Sequence, residues 1–172
     1  MGTLTETDRT RVSTTAAESF VNDFYTSLNG SRGQIASFYV PSNDPSTGRV
    51  LPHISFNGEQ LQDANVLQDR FQKQMPWTHF EPQSVNVHVL NPSVNPIDSS
   101  KVSKRELEQN MSFTVQVSGY VRLVERRDGP MRGFSDNFVL VPNQEEVGGR
   151  GTGKQGEGRK WLIQSQNLRF VV

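Results

Sequence analysis

Apolar and polar positions alternate most regularly between Met111 and Val141. Met111, Phe113, Val115, Val117, Val121 and Leu123 are interleaved with Ser112, Thr114, Gln116, Ser118, Tyr120 and Arg122. A period of two marks a strand with one buried side. Arg126-Arg127-Asp128-Gly129-Pro130 supplies turn chemistry, with Gly129 suited to a positive φ. The return, Gly133 to Val141, sends Phe134, Phe138 and Leu140 one way and Ser135, Asn137, Val139 and Val141 the other. The pattern predicts a long hairpin whose second face is too apolar for easy solvation and too polar for a core. Such a face predicts a protein partner.

Upstream the period lengthens. Ala17, Phe20, Val21, Phe24 and Leu28 form one stripe of a helix capped by Thr14 or Thr15. Residues 1–13 are polar and expected to be flexible. Asn29-Gly30-Ser31 ends the helix, with Gly30 as a left-handed cap. Ile35, Phe38 and Tyr39 predict a second short helix, closed by Pro41. Residues 41–49 read as loop and Val50 to Phe56 as a strand, placed at an edge by Pro52. Asn57 with Gln60 reads as a capping box for a third helix through Leu61, Ala64, Leu67, Phe71 and Met75. Val85, Val87 and Val89 predict a strand, residues 91–110 a polar connection, and residues 142–160 a Gly-rich loop. Lys160 to Val172 predicts the last strand. Helices gathered on one side of an antiparallel sheet give an α+β layer fold, a single domain over residues 14–172.

Composition narrows the function. The chain has 172 residues, enough for one sizeable core, yet only 33% are hydrophobic. Eighteen basic residues balance eighteen acidic ones, so no general electrostatic hold on nucleic acid is expected. There is no cysteine, which removes disulfides, thiol catalysis and cysteine–zinc sites and suits a reducing compartment. Met1 to Asp8 carries no apolar run, so no signal peptide is expected, and no window nears the roughly 20 apolar residues of a membrane helix. Without secretion, the sequons at Asn29 and Asn110 are chance matches; Glu6 breaks the myristoylation pattern.

Candidate chemistry is sparse. Asp136 shares a face with Phe134, Phe138 and Leu140, and a desolvated Asp there is either a general base or a structural acceptor for backbone or tyrosine. With no histidine beside it and no second carboxylate, the structural role is favoured. His53, His79 and His88 sit on separate elements without metal-ligand spacing, so neither metal nor cofactor is expected. Gly148 to Lys154 imitates a phosphate loop but lacks the Ser or Thr and the helix. Lys101, Lys104 and Arg105 in one loop, and Arg150, Lys154, Arg159 and Lys160 in the other, are either solvated or in contact with RNA phosphates. No aromatics are interleaved for base stacking.

Residues 19–40 (SFVNDFYTSLNGSRGQIASFYV) resemble the first-helix signature of the nuclear transport factor 2-like superfamily. Residues 115–124 (VQVSGYVRLV), 133–143 (GFSDNFVLVPN) and 161–170 (WLIQSQNLRF) are similar to its last three strands, in order. Trp161, Ser165 and Arg169-Phe170 resemble the small subunit of the mRNA export heterodimer, fungal type; Gln166 and Leu168 depart from its pattern. The resemblance implies a cone in which three helices of the N-terminal half cover a strongly bent antiparallel sheet. It implies a non-enzymatic adaptor, nuclear and shuttling through pores, that pairs its sheet face with a large export receptor. Contact with the phenylalanine–glycine repeats of pore proteins is implied by resemblance alone, as is an acidic partner for Arg169. The outward candidates are Thr114, Gln116, Ser118, Tyr120, Arg122, Asn137, Val139, Gln164 and Arg169. They would supply one partner's share of an interface of about 1,600 Å². Tyr120, Arg122 and Arg169 are its expected energetic centres. The superfamily also includes homodimeric carriers of a small GTPase and small hydratases or isomerases that work inside the cone.

Overall fold

The computed structural model describes residues 3–43, 50–98, 100–144 and 158–171. Helix α1 spans Glu6–Gly30. Its cap lies nine or ten residues before the expected one, because Thr5 and Asp8 form a capping box. The Asp8 N–H donates to Thr5 Oγ1 at 3.1 Å, and the Thr5 N–H donates to Asp8 Oδ2 at 3.1 Å. Residues 6–13, expected to be flexible, are therefore helical. Gly30 does not turn left-handed; the helix runs through it and ends at Ser31, with φ −128°. A 3-10 helix, Arg32–Phe38, follows and buries Ile35 and Phe38.

Strands β1 (His53–Phe56) and β2 (Glu59–Leu61) form a tight hairpin. Its two turn residues, Asn57 (φ 49°) and Gly58 (φ 84°), take the positive φ values that a two-residue turn needs. Asn57 is thus a turn residue, not a helix cap. Helix α2 begins later, at Ala64–Asp69, where Asp63 Oδ1 accepts the Val66 N–H at 3.1 Å. A π-helical turn, Arg70–Gln74, extends it and buries Phe71. Strand β3 spans Trp77–Asn91, beginning eight residues before Val85. The polar connection after it contains a short helix α3, Lys104–Glu108, with its own Ser103–Glu106 capping box. Then come β4 (Ser112–Val124), β5 (Met131–Pro142) and β6 (Trp161–Val171). At the β4–β5 turn the positive φ belongs to Val124 (72°), not Gly129. Glycine is still required at 129, since a Cβ there would lie 1.9 Å from the Leu123 carbonyl oxygen. The Gly148–Lys154 motif lies outside the described residues.

The six strands of the described residues form one bent, unclosed sheet in the order β2-β1-β6-β5-β4-β3. All neighbours are antiparallel except β1 and β6, which run parallel. This puts β1 inside the sheet and β2 at the edge, contrary to the expectation from Pro52. The inner side carries Phe80, Phe113, Phe134 and Phe138, all buried. Helix α1 lies across it, with Phe20 packing on Phe138 (ring centroids 5.7 Å) and Tyr25 on Phe134 (5.4 Å). The rings fill the cone, and each buried aromatic contributes about 1.5–3 kcal/mol. The architecture is the α+β arrangement that the alternation predicted.

Candidate functional site: the outer face of the sheet

The cross-strand register assembles the outer face row by row. One row runs His53–Ser165–Val139–Thr114–His88 across β1, β6, β5, β4 and β3. The next runs Ser55–Asn167–Asn137–Gln116–Asn86. Because the sheet is bent, these two rows line a hollow of about 580 Å³. Its described lining contains hydroxyls, amides, two imidazoles and the apolar Val115, Phe138 and Val139, but no Asp, Glu, Lys or Arg. A third row, Arg169–Ser135–Ser118–Ser84, borders it. All three histidines lie on this face, for His79 pairs with Arg122 on β4. No group of three or more potential metal ligands occurs among the described residues.

Beyond the third row exposed apolar side chains join Glu81, Arg122 and His79. Val171, Gly133 and Tyr120 are register partners, as are Met131 and Arg122, and Val124 and Trp77. Tyr120, Val124, Met131 and Val171 are four of the seven large apolar side chains that stand exposed among the described residues. Tyr120 keeps 51% of its surface in water. Gathered apolar exposure of this kind marks interaction surfaces.

Most of the expected interface residues therefore share this face. Gln164 does not fall in line. A bulge between Val139 and Leu140 shifts the register, so that Ser165, not Gln164, stands opposite Val139. Arg122 is occupied by its own hairpin: its Nη1 donates to the Arg127 carbonyl at 3.2 Å and the Gly129 carbonyl at 2.9 Å. That leaves Arg169, exposed and in no ion pair among the described residues, as the cation free for a partner. Met131 and Val171 were not expected. Their place emerges only from pairing with β4 and β5.

The inner face holds one polar cluster. The Tyr25 hydroxyl donates to Asp136 Oδ2 at 2.6 Å, and Gln166 Nε2 donates to the same oxygen at 3.0 Å. The Tyr39 hydroxyl donates in turn to Gln166 Oε1. All four residues are buried, Asp136 with no exposed surface. Desolvation pushes Asp136 up to about 7, against the downward pull of the Tyr25 and Gln166 hydrogen bonds. Burial, followed by the Asp136 charge, pushes both phenols well above their ordinary value. A general base needs a reachable lone pair. Here both oxygens are engaged and ringed by aromatics, as the structural reading of Asp136 expects.

The basic loop residues part company. Lys101 pairs with Asp98 at 3.6 Å and Lys104 with Asp8 at 3.0 Å. Arg105, Arg159 and Lys160 instead come together around one groove beside α1. Arg150 and Lys154 lie outside the described residues.

No protein-family model matches the chain, and no curated protein does. Solved structures do. Mtr2, in the structure of the Chaetomium thermophilum Mex67 NTF2-like domain complexed with Mtr2, is 25% identical to this chain. That match covers 93% of this chain and 99% of the other, with a TM-score of 0.69. The structure of a Sac3N peptide bound to Mex67:Mtr2 matches with the same identity and coverage and a TM-score of 0.67. A protein described as a scytalone dehydratase, from Novosphingobium aromaticivorans, matches at 10% identity with a TM-score of 0.61, covering 96% of this chain and 89% of its own. That likeness concerns the fold alone. The chain has a nuclear transport factor 2-like fold.

Proposed function

We propose that the chain is a non-enzymatic adaptor, the small subunit of a heterodimeric mRNA export receptor. It docks the outer face of its sheet on the related domain of a large subunit. Burying that face removes from water a surface that neither subunit leaves wet at low cost. The pair then works in the nucleus and at the nuclear pore and shuttles to the cytoplasm, with contacts to phenylalanine–glycine repeats there. The likeness to Mtr2, solved with Mex67, supports this reading. The observation that carries it is the gathering of Tyr120, Val124, Met131 and Val171 beside an uncharged hollow on one sheet face.

Affinity isolation of the tagged chain from its source cells, with mass identification, tests it. The expected result is a stoichiometric larger partner carrying a domain of the same fold. Tyr120→Asp is expected to weaken pull-down of that partner at least thirtyfold, since a central tyrosine contributes about 2 kcal/mol or more. Arg169→Glu weakens it too if a carboxylate faces Arg169. A monodisperse monomer without a partner would sink the proposal. A species of twice the monomer mass would replace it with a homodimer.

A further inference from the structure

A second hollow lies on the helical side, between α1, α3 and the entry to β6. It encloses about 780 Å³ and shares no lining residue with the sheet-face hollow. Two cross-links hold its α3 wall to α1: Lys104–Asp8 at 3.0 Å and Arg11–Glu108 at 2.7 Å. Its floor is apolar, made by Val12, Phe20, Phe38 and Trp161. Its rim is mostly cationic, with Arg105, Arg159 and Lys160 facing Asp23 and the already paired Glu108.

Arg159 is built into this hollow. Its guanidinium carbon lies 3.6 Å from the centre of the Phe38 ring, and its Nη2 donates to Ser37 Oγ at 3.2 Å. Its Nε is buried and has no acceptor among the described residues. A buried donor without an acceptor is unfavourable, so an incoming oxygen is favoured there. The chain that follows it is anchored. Asn143 Nδ2 donates to the Arg159 carbonyl at 2.8 Å, and Trp161 Nε1 donates to the Met111 carbonyl at 2.9 Å.

We propose that this groove docks a short segment of a partner protein that combines an aromatic or aliphatic anchor with acidic residues. The anchor covers the floor, and the carboxylates meet Arg105, Arg159 and Lys160. Nucleic acid fits less well. Phe20 and Phe38 are buried edge to face at 5.7 Å, and the Arg159 guanidinium covers the Phe38 ring, so neither offers a free face on which a base could stack. The proposal is independent of the heterodimer reading, because the groove and the sheet face have separate linings.

The test uses the full chain and fluorescence anisotropy with three labelled probes. They are a peptide alternating Asp or Glu with Leu or Phe, its counterpart with Asn and Gln replacing the acids, and an oligouridylate. The acidic peptide is expected to bind, and the amide peptide at least tenfold more weakly. Ser19→Trp fills the groove from an exposed position without changing charge. It is expected to weaken binding at least tenfold, as is Arg105→Glu combined with Lys160→Glu, with thermal melting unchanged. Equal affinity for the two peptides would overturn the proposal, as would binding untouched by Ser19→Trp. Absence of acidic-peptide binding up to ~1 mM would also overturn it. Preferential oligouridylate binding that these variants abolish would make the groove an RNA surface instead.

Discussion

Above neutral pH the folded chain holds an ionised carboxylate where water does not reach. Asp136 has no exposed surface, and burial lifts its pKa from 3.8 to about 7. Between these values the folded state keeps a proton that the unfolded chain releases. The stability this proton confers is complete below pH 3.8 and is lost as pH rises to about 7. Each pH unit in that window weakens the fold by about 1.4 kcal/mol, and the whole interval is worth about 4 kcal/mol. Asp136→Asn keeps the shape and removes the titration. The assay is urea unfolding of both chains, followed by circular dichroism, from about pH 4.5 to about pH 8. Over that range the variant is expected to gain about 3 kcal/mol on the parent. Asp8, Glu59, Asp98 and Glu106 are held below their ordinary values by hydrogen bonds. They act with the opposite sign, in acid, and cancel because both chains contain them. A difference that does not change with pH would refute the reasoning. It would mean that water reaches Asp136, and would restore the inside of the cone as a place for acid–base chemistry.

Two further substitutions probe how the site is held. Gly119 sits where β4 meets the β3 bulge between Pro82 and Ser84, and a Cβ there would lie 2.1 Å from the Glu81 carbonyl oxygen. Gly119→Ala is expected to cost about 1–3 kcal/mol in urea unfolding and to weaken partner binding, because Tyr120 rides on the displaced strand. Asn29 closes part of the β3 edge: its Nδ2 donates to the Phe80 carbonyl at 3.0 Å, and the Phe80 N–H donates to its Oδ1 at 2.7 Å. Asn29→Ala is expected to cost about 1–3 kcal/mol and to speed amide exchange at Phe80, measured by hydrogen exchange.

Where burial is set by neighbours along the chain, the elements were legible. The alternation of Met111 to Leu123, the turn after it and the return through Phe134, Phe138 and Leu140 are local patterns with a single period, and the strands follow them. The stripe from Ala17 to Leu28 is likewise local. The misreadings lie where two local signals compete and a distant strand decides. Asn57 with Gln60 satisfies a capping pattern, yet Asn57-Gly58 also satisfies a tight turn. Pairing of β1 with β6, more than a hundred residues away, selects the turn. Residues 6–13 have a polar first turn and show a helix only through the Thr5–Asp8 box and the Lys104 and Arg11 cross-links to α3.

The sequence by itself determined which side of the hairpin faces the core and which side is left half apolar, because side chains on a strand must alternate. Only the tertiary structure decided what that outer side presents. A bulge exchanged Gln164 for Ser165, the hairpin's own carbonyls took Arg122, and strand pairing brought Met131 and Val171 beside Tyr120. Register and closure are properties of pairs of distant segments, and no local pattern encodes them.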